Sequence, residues 1–208
     1  MTESNKILLI AGGGHGRVIL DALLAAKIRV HGIVDSAIPV GTELFGVKVL
    51  GGDEYLDRLS GDLILLANGL GANPKTLARS SLYQRFSMGG FLFITIIHPS
   101  AIIGSNVKLS DGCQIMAGAV IQCGVEVGHN SVINTRASID HDVVIGDSVF
   151  IAPGVTICGG VNIGSEAFIG AGANILPGVR IGAGAVVGAG SLVLSDIRRE
   201  ALFWSSSH

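Results

Sequence analysis

Charge is what this chain uses least: Asp, Glu, Lys and Arg make up 14% of its 208 residues, and the formal net charge is −2. Lys and Arg never cluster, so the concentrated basic surface that binds phosphate backbones is missing, and no nucleic-acid partner is expected. Cysteine is scarce too. Cys113, Cys123 and Cys158 form no C-x-x-C pair, which removes the usual zinc signature and fits a reducing compartment. No apolar run approaches the roughly 18 residues of a membrane span. The opening MTESNKILLIAGGG lacks a basic segment followed by an apolar one. Neither a membrane partner nor a secretory leader is expected, and the cytoplasm is the expected location.

Glycine, by contrast, reaches 31 residues, which suits tightly wound backbone better than a helical bundle. Up to residue 96 the chain alternates strand-like and helix-like runs. KILLIA (6–11) predicts a buried strand, GRVILDALLAAK (16–27) a helix and RVHGIVD (29–35) a second strand. VKVLGG, DEYLDRL, DLILLA (62–67) and NPKTLARSSLYQRF continue the alternation. The pattern predicts a small α/β, Rossmann-like domain of about two βαβ units over 1–96.

From Ile97 the grammar has a period of six. Every sixth residue from Ile103 to Val193 is Ile, Leu or Val, sixteen in all. Four places after each stands a small or β-branched residue, from Val107 to Ile197, as a narrow interior demands. Three places after each, thirteen of the sixteen are Gly, Asn or Asp, the residues that best tolerate positive φ. Each hexad therefore predicts a short strand plus a corner, and the array a three-sided parallel β-helix over 97–198 with a tail at 199–208. The period alone does not set the handedness.

One hexad carries unusual chemistry. In SIDHDVVIG (138–146), His141 falls two places after Ile139, in a corner, so its imidazole is expected to point outward. An imidazole titrates near neutrality, and the carboxylate of Asp142 beside it would orient the ring and stabilise its protonated form. Cys123 and Gly159, eighteen residues to either side, leave room for it. A plain polar corner is the alternative, since Asp is ordinary at the third place. His129 occupies an equivalent corner position and is read as structural. Near the N-terminus AGGGHGR follows a strand and opens a helix, where backbone amides can receive phosphate or ribose oxygens. It fails as a dinucleotide fingerprint because Arg17 stands where the last Gly is required, and a tight turn explains it equally well.

ILLIAGGGHGR, HPSAIIG and INTRASIDHDVVIGDSVFIAPG together make the chain resemble the nucleotide-aminosugar N-acetyltransferases, hexapeptide-repeat enzymes related to sialic acid O-acetyltransferase. The resemblance covers nearly the whole chain and is nearest to the perosamine-acetylating members. It implies a left-handed β-helix, a homotrimer, acetyl-CoA as cosubstrate with no metal, and a GDP- or UDP-linked 4-amino-4,6-dideoxysugar as acceptor. His141 would be the catalytic base and Asp142 its partner. Asn134, Asp140, Gly13, Gly14, His15, Asp35, Ser36, Asn68 and Gly69 would contact the nucleotide sugar, the last two in the third βα loop. Phe150, Gly159, Gly160, Ala171 and Ala189 would contact the cofactor. Relatives often carry a second His where Phe150 stands, so an imidazole contact is lost there and the site has one base. The ending REALFWSSSH lacks the Gly-x-Pro-Ala tail of related acyltransferases, which leaves open how the adenine end of CoA is held.

With Cys113 in the interior column and no local base beside Cys123 or Cys158, direct transfer without a covalent enzyme intermediate is expected. Other readings stay open: O-acetylation of a sugar hydroxyl, or a non-catalytic trimeric scaffold that binds a nucleotide sugar. A metal hydrolyase of the γ-carbonic-anhydrase kind would need three His; this helix offers His98, His129 and His141 at spacings of 31 and 12.

Overall fold

The computed structural model describes residues 6–59 and 64–204. The chain divides into two compact units, 1–96 and 97–208. The first contains β1 (Lys6–Ile10), α1 (Gly14–Ala25), β2 (Val30–Val34), β3 (Glu43–Leu44), β4 (Val47–Gly51), α2 (Asp53–Leu56), β5 (Ile64–Asn68), α3 (Ala78–Met88) and β6 (Leu92–Phe93). The sheet order is β3-β4-β2-β1-β5-β6, parallel throughout except for the β3–β4 hairpin. β1 lies between β2 and β5, so the chain leaves it first to one side and then to the other, and the loops after these three strands surround the switch point where open α/β sheets receive ligands.

The local sequence accounts for these elements. KILLI, VHGIV and ILLAN are nearly continuous apolar runs, as strands covered on both faces require. On α1, Gly16, Ile19, Leu20 and Leu23 are buried at helical spacing. α3 ends in a Schellman arrangement: Gly90 takes φ +85°, Phe91 N–H donates to Phe86 O at 3.0 Å and Gly90 N–H to Ser87 O at 3.0 Å. Phe86 and Phe91 then meet edge to face, with centroids 5.8 Å apart, in the core with Leu8, Val34, Leu66 and Phe93.

Three details differ from the sequence expectation. The β3–β4 hairpin turns on Phe45 and Gly46, both at positive φ, and a Phe-Gly pair gives no ordinary turn signal. α3 begins at Ala78, later than the expected run, because Asn73 caps a turn around Pro74: its Oδ1 accepts from Lys75 N–H at 2.9 Å. β5 begins at Ile64; Asp62 and Leu63 of the expected strand lie outside the described residues.

The second unit is a left-handed parallel β-helix of hexapeptide repeats. Among the described residues its two-residue strands form three sheets. Face one runs from β7 (Ile96–Ile97) to β24 (Leu202–Phe203), face two from β8 (Ile102–Ile103) to β23 (Leu192–Val193), and face three from β9 (Lys108–Leu109) to β21 (Arg180–Ile181). Strand partners lie eighteen residues apart, as in Ile121↔Ile139↔Ile157 on face two. The aliphatic column is buried from Ile115 onward, whereas Ile103 and Leu109, in the first coil, are only half-buried.

Corner geometry is uniform. Arg136, Ser148 and Glu166, the three departures from the Gly/Asn/Asp column, take φ +57°, +55° and +64°, in the same left-handed region as the other residues of that column before the final coil. Register dictates the turn, and the residue accepts about 1 kcal/mol of strain.

The final coil breaks the period. Val187 pairs with Phe203 and Ile181 bridges to Ile197, both sixteen residues apart; Asp196 lacks the positive φ that the unbroken hexad would assign to it, and the next is at Glu200 (+55°), sixteen residues after Gly184. Ile197 therefore belongs to the main aliphatic column, a correction to its expected place among the small interior residues. β24 falls within the stretch expected as a tail, and the coil continues into it.

A Cβ on Gly16 would overlap the carbonyl oxygen of Ala11, while one on Gly13 would meet nothing within 4 Å. Gly16→Ala should destabilise the first unit by about 1–3 kcal/mol, as forced overpacking does, and Gly13→Ala should leave stability nearly unchanged. Urea unfolding of both variants checks this; equal effects would show that the close approach at Gly16 is not what fixes α1.

Candidate active site

Corners following face-two strands make up the two–three edge of the prism. There β14 (Ser138–Ile139) is followed by Asp140, His141 and Asp142. His141 stands in a vertical row with Cys123 below and Gly159 above: Asp142 N–H donates to Cys123 O at 3.2 Å and Gly160 N–H to His141 O at 3.0 Å. Asp142 turns through φ +58°, which brings its carboxylate beside the preceding ring, and His141 Nδ1 lies 2.9 Å from Asp142 Oδ2. Asp140 Oδ1 accepts from His141 N–H at 2.8 Å.

The His141 side chain is 58% exposed and its ring lies over Gly159, where a Cβ would stand 2.7 Å from both Cε1 and Nε2. Nδ1 is thus engaged by Asp142, and Nε2 is the nitrogen left for a ligand. The hydrogen bond to the Asp142 carboxylate raises the imidazole pKa above its ordinary value, and the charge of Asp140 adds to the effect. A stronger base with one nitrogen engaged and the other exposed can take a proton from an approaching acid.

The other expected helix residues divide between edges. Gly159 and Gly160 share the two–three edge with His141. Asn134, Ala171 and Ala189 lie at corners that follow face-one strands, on the one–two edge. Asn134 is buried, and its Oδ1 accepts from Thr135 N–H at 2.8 Å. Ala171 and Ala189 are exposed, one coil apart. Phe150 is a strand residue of face one, buried and stacked nearly parallel on Phe168, with centroids 5.5 Å apart and planes 4° apart. Within one chain it packs against its own face and shares no edge with His141. His98, His129 and His141 fall on three different edges, and among the described residues no three His, Cys, Asp or Glu side chains gather as metal ligands.

In the first unit, Gly13 caps α1 with no side-chain hydrogen bond and the first turn carries no acidic residue, so Gly13 and Gly14 border open space at an anion-favouring helix N-terminus. His15 is half-buried, with its Cβ beside Gly71. Asp35 does structural work that its position alone does not reveal. Its Oδ2 accepts from Gly12 N–H at 2.8 Å and its Oδ1 from Ala37 and Ile38 N–H at 2.8 and 3.1 Å, tying the glycine loop to the end of β2.

Ser36 opens onto a cavity of about 330 Å³ shared with Gly52, Glu54 and residues 37–40. Asn68, expected to contact the nucleotide sugar, is buried: its Nδ2 donates to Arg79 O at 3.2 Å and its Oδ1 accepts from Leu70 N–H at 3.1 Å. Arg79 Nη1 in turn donates to Leu70 O at 2.6 Å and Asn68 O at 3.2 Å, so a buried guanidinium straps the third βα loop. Gly69 is glycine because a Cβ would collide with the backbone of Ile10 and Ala11. Neither Arg79 nor Glu54 stood out in sequence, where each is an ordinary charge on a helix-like run.

Comparison with known proteins places this geometry. Residues 6–86 match the family described as the PglD N-terminal domain, and residues 160–195 match Bacterial transferase hexapeptide (six repeats). Perosamine N-acetyltransferase from Caulobacter crescentus, solved with CoA and GDP-perosamine, is 35% identical over 95% of this chain and 92% of its own, with a TM-score of 0.86. It has also been solved as variants in which a histidine is replaced by asparagine or alanine. The acetyltransferase domain of PglB from Neisseria gonorrhoeae, 29% identical over 93% of both chains, superposes with a TM-score of 0.85. UDP-N-acetylbacillosamine N-acetyltransferase of Bacillus subtilis is 35% identical over 116 residues, 54% of this chain; the match spans about half of that relative, 51%. An N-terminal α/β unit, a hexapeptide β-helix and likeness to a nucleotide-sugar acetyltransferase over almost the full length of both proteins lead to one statement: the chain belongs to the hexapeptide-repeat nucleotide-aminosugar N-acetyltransferase family.

Proposed function

We propose that the protein transfers the acetyl group of acetyl-CoA to the amine of a nucleotide-linked 4-amino-4,6-dideoxysugar of the GDP-perosamine kind. The observation that carries this reading is the exposed His141–Asp142 pair, 2.9 Å apart, on the edge that Gly159 keeps clear. The sugar amine attacks the thioester carbonyl, a C–N bond forms, and Nε2 of His141 takes the proton that the nitrogen sheds as it becomes tetrahedral. Collapse of the intermediate breaks the C–S bond and releases CoA as its thiolate, to which the imidazolium can return the proton. The full-length likeness to a protein solved with CoA and GDP-perosamine supports the choice of donor and acceptor. The glycine turn at Gly13 and Gly14 would receive the diphosphate, and the cavity at Ser36 the nucleoside.

The family resemblance assigns cofactor contacts to both Gly159 and Ala171, yet these occupy different edges of one prism. A groove built from both therefore needs at least two copies of the chain, which supports an oligomer, and the family resemblance makes it a trimer. Sedimentation should give three chains per particle.

His141→Ala should retain the native assembly and lower CoA release with a nucleotide 4-amino sugar at least 100-fold, the usual contribution of a positioned base. Turnover within threefold of wild type would remove His141 from the role. Asp142→Asn keeps a residue that accepts the left-handed turn but withdraws the carboxylate that raises the imidazole pKa. Since the base works deprotonated, activity falls as pH drops through that pKa, so the variant's acid limb in kcat/KM should move to lower pH and its plateau should drop by about tenfold. An unmoved limb would mean that a different group sets it.

A further inference from the structure

The one–two edge ends at the chain's single tryptophan, Trp204, which directly follows β24. Its indole lies against Gly188, where any Cβ would collide with Cδ1 and Nε1 of the ring. The side chain is nevertheless 60% exposed. One face of the indole rests on backbone and the other is open, an uncommon placement for so large an apolar surface in a chain with 5% aromatic residues. Loss of two residues from the last coil is what brings it there: Leu202 pairs with Val186 and Phe203 with Val187, which sets Trp204 level with the 188–190 corner. Below it on the same edge stand Ala189 and Ala171, both exposed and small.

Distance along the axis gives the ring a purpose. Face-one partners step Val132, Phe150, Phe168, Val186, Leu202, so Trp204 stands four coils beyond the one that carries His141. At about 4.8 Å between neighbouring strands this is roughly 19 Å. An extended pantetheine-diphosphate arm separates its thioester from its adenine over a span of this order. Aromatic side chains bind nucleobases by face-to-face stacking, and an indole supported on one side is already held in place for it. We propose that Trp204 is the platform on which the adenine ring of acetyl-CoA stacks, standing in for the Gly-x-Pro-Ala tail that this sequence lacks. The inference rests on acetyl-CoA being the donor and lying between two copies of the chain, since Trp204 and His141 occupy different edges, and is independent of which sugar is the acceptor.

Because the protein has no second tryptophan, indole emission reports this position alone. Titration with CoA or with 3′-phosphoadenosine 5′-diphosphate should quench it saturably, whereas GDP and acetyl-phosphopantetheine should not. In kinetics, Trp204→Ala should lower kcat/KM for acetyl-CoA relative to that for acetyl-phosphopantetheine, which has no adenine, by about tenfold. Trp204→Phe should recover most of the difference. Gly188→Ala, which pushes the indole off its seat while leaving it in the chain, should show the same donor-selective loss. Calorimetric binding of CoA without quenching, no CoA binding at all, or an equal loss for both donors in Trp204→Ala would each overturn the proposal. Quenching by CoA with no acetylation of any nucleotide amino sugar would instead sustain it and reject the acceptor assigned above.

Discussion

Everything in the second unit hangs on backbone hydrogen bonds between residues one coil apart. They tie strand to strand on three faces and corner to corner on three edges, as from Gly160 N–H to His141 O and from Gly178 N–H to Gly159 O, each at 3.0 Å. The ladder runs through the main chain, and some corner side chains join it, as Asp147 Oδ1 accepts from His129 N–H at 2.7 Å, whereas the His141 imidazole is not needed to hold it. The interior column of aliphatics supplies the burial that makes the stack cohere. What an outward corner side chain displays can therefore vary on a frame that does not depend on it. The His141 imidazole is such a side chain.

This division explains why so much was legible from the sequence. A period of six fixes faces, edges and interior positions together, so the row Cys123–His141–Gly159 and the outward course of His141 follow from counting. Counting failed where the period did, at Ile197 and beyond, because Ser195 and Asp196 resemble an ordinary corner and nothing local marks the two missing residues. Arg136, Ser148 and Glu166 show the converse: their identities break the pattern but their conformations keep it. In the α/β unit, the strands and α1 were readable from apolar runs and helical spacing. The roles of Asn68 and Asp35 were not. Each is a polar residue at a strand end, where a ligand contact and a structural clamp look identical in sequence. Partners distant in the chain, Arg79 for one and Gly12 for the other, reveal the clamp in each case.

The character of the proposed base comes from the pairing of two neighbours with opposite demands. Asp142 must adopt a left-handed turn to continue the coil, and the same turn aims its carboxylate at the ring one residue earlier. The imidazole is thus tuned by a residue whose turn the fold already needs at that place. Gly159 completes the arrangement by having no side chain, since the imidazole lies where one would be. Frame and chemistry meet in these three residues.

The sixteen-residue last coil bears on a hazard common to all open solenoids. A strand ladder that stops in mid-register leaves hydrogen-bonding groups ready to accept another chain's strands, the route by which stacked sheets grow into fibres. Among the described residues face three stops at β21, face two at β23 and face one at β24, with Ile197 bridging to Ile181. The sixteen-residue step puts this coil out of register with a prism of eighteen-residue coils, so the omission of two residues works against continued strand pairing between particles.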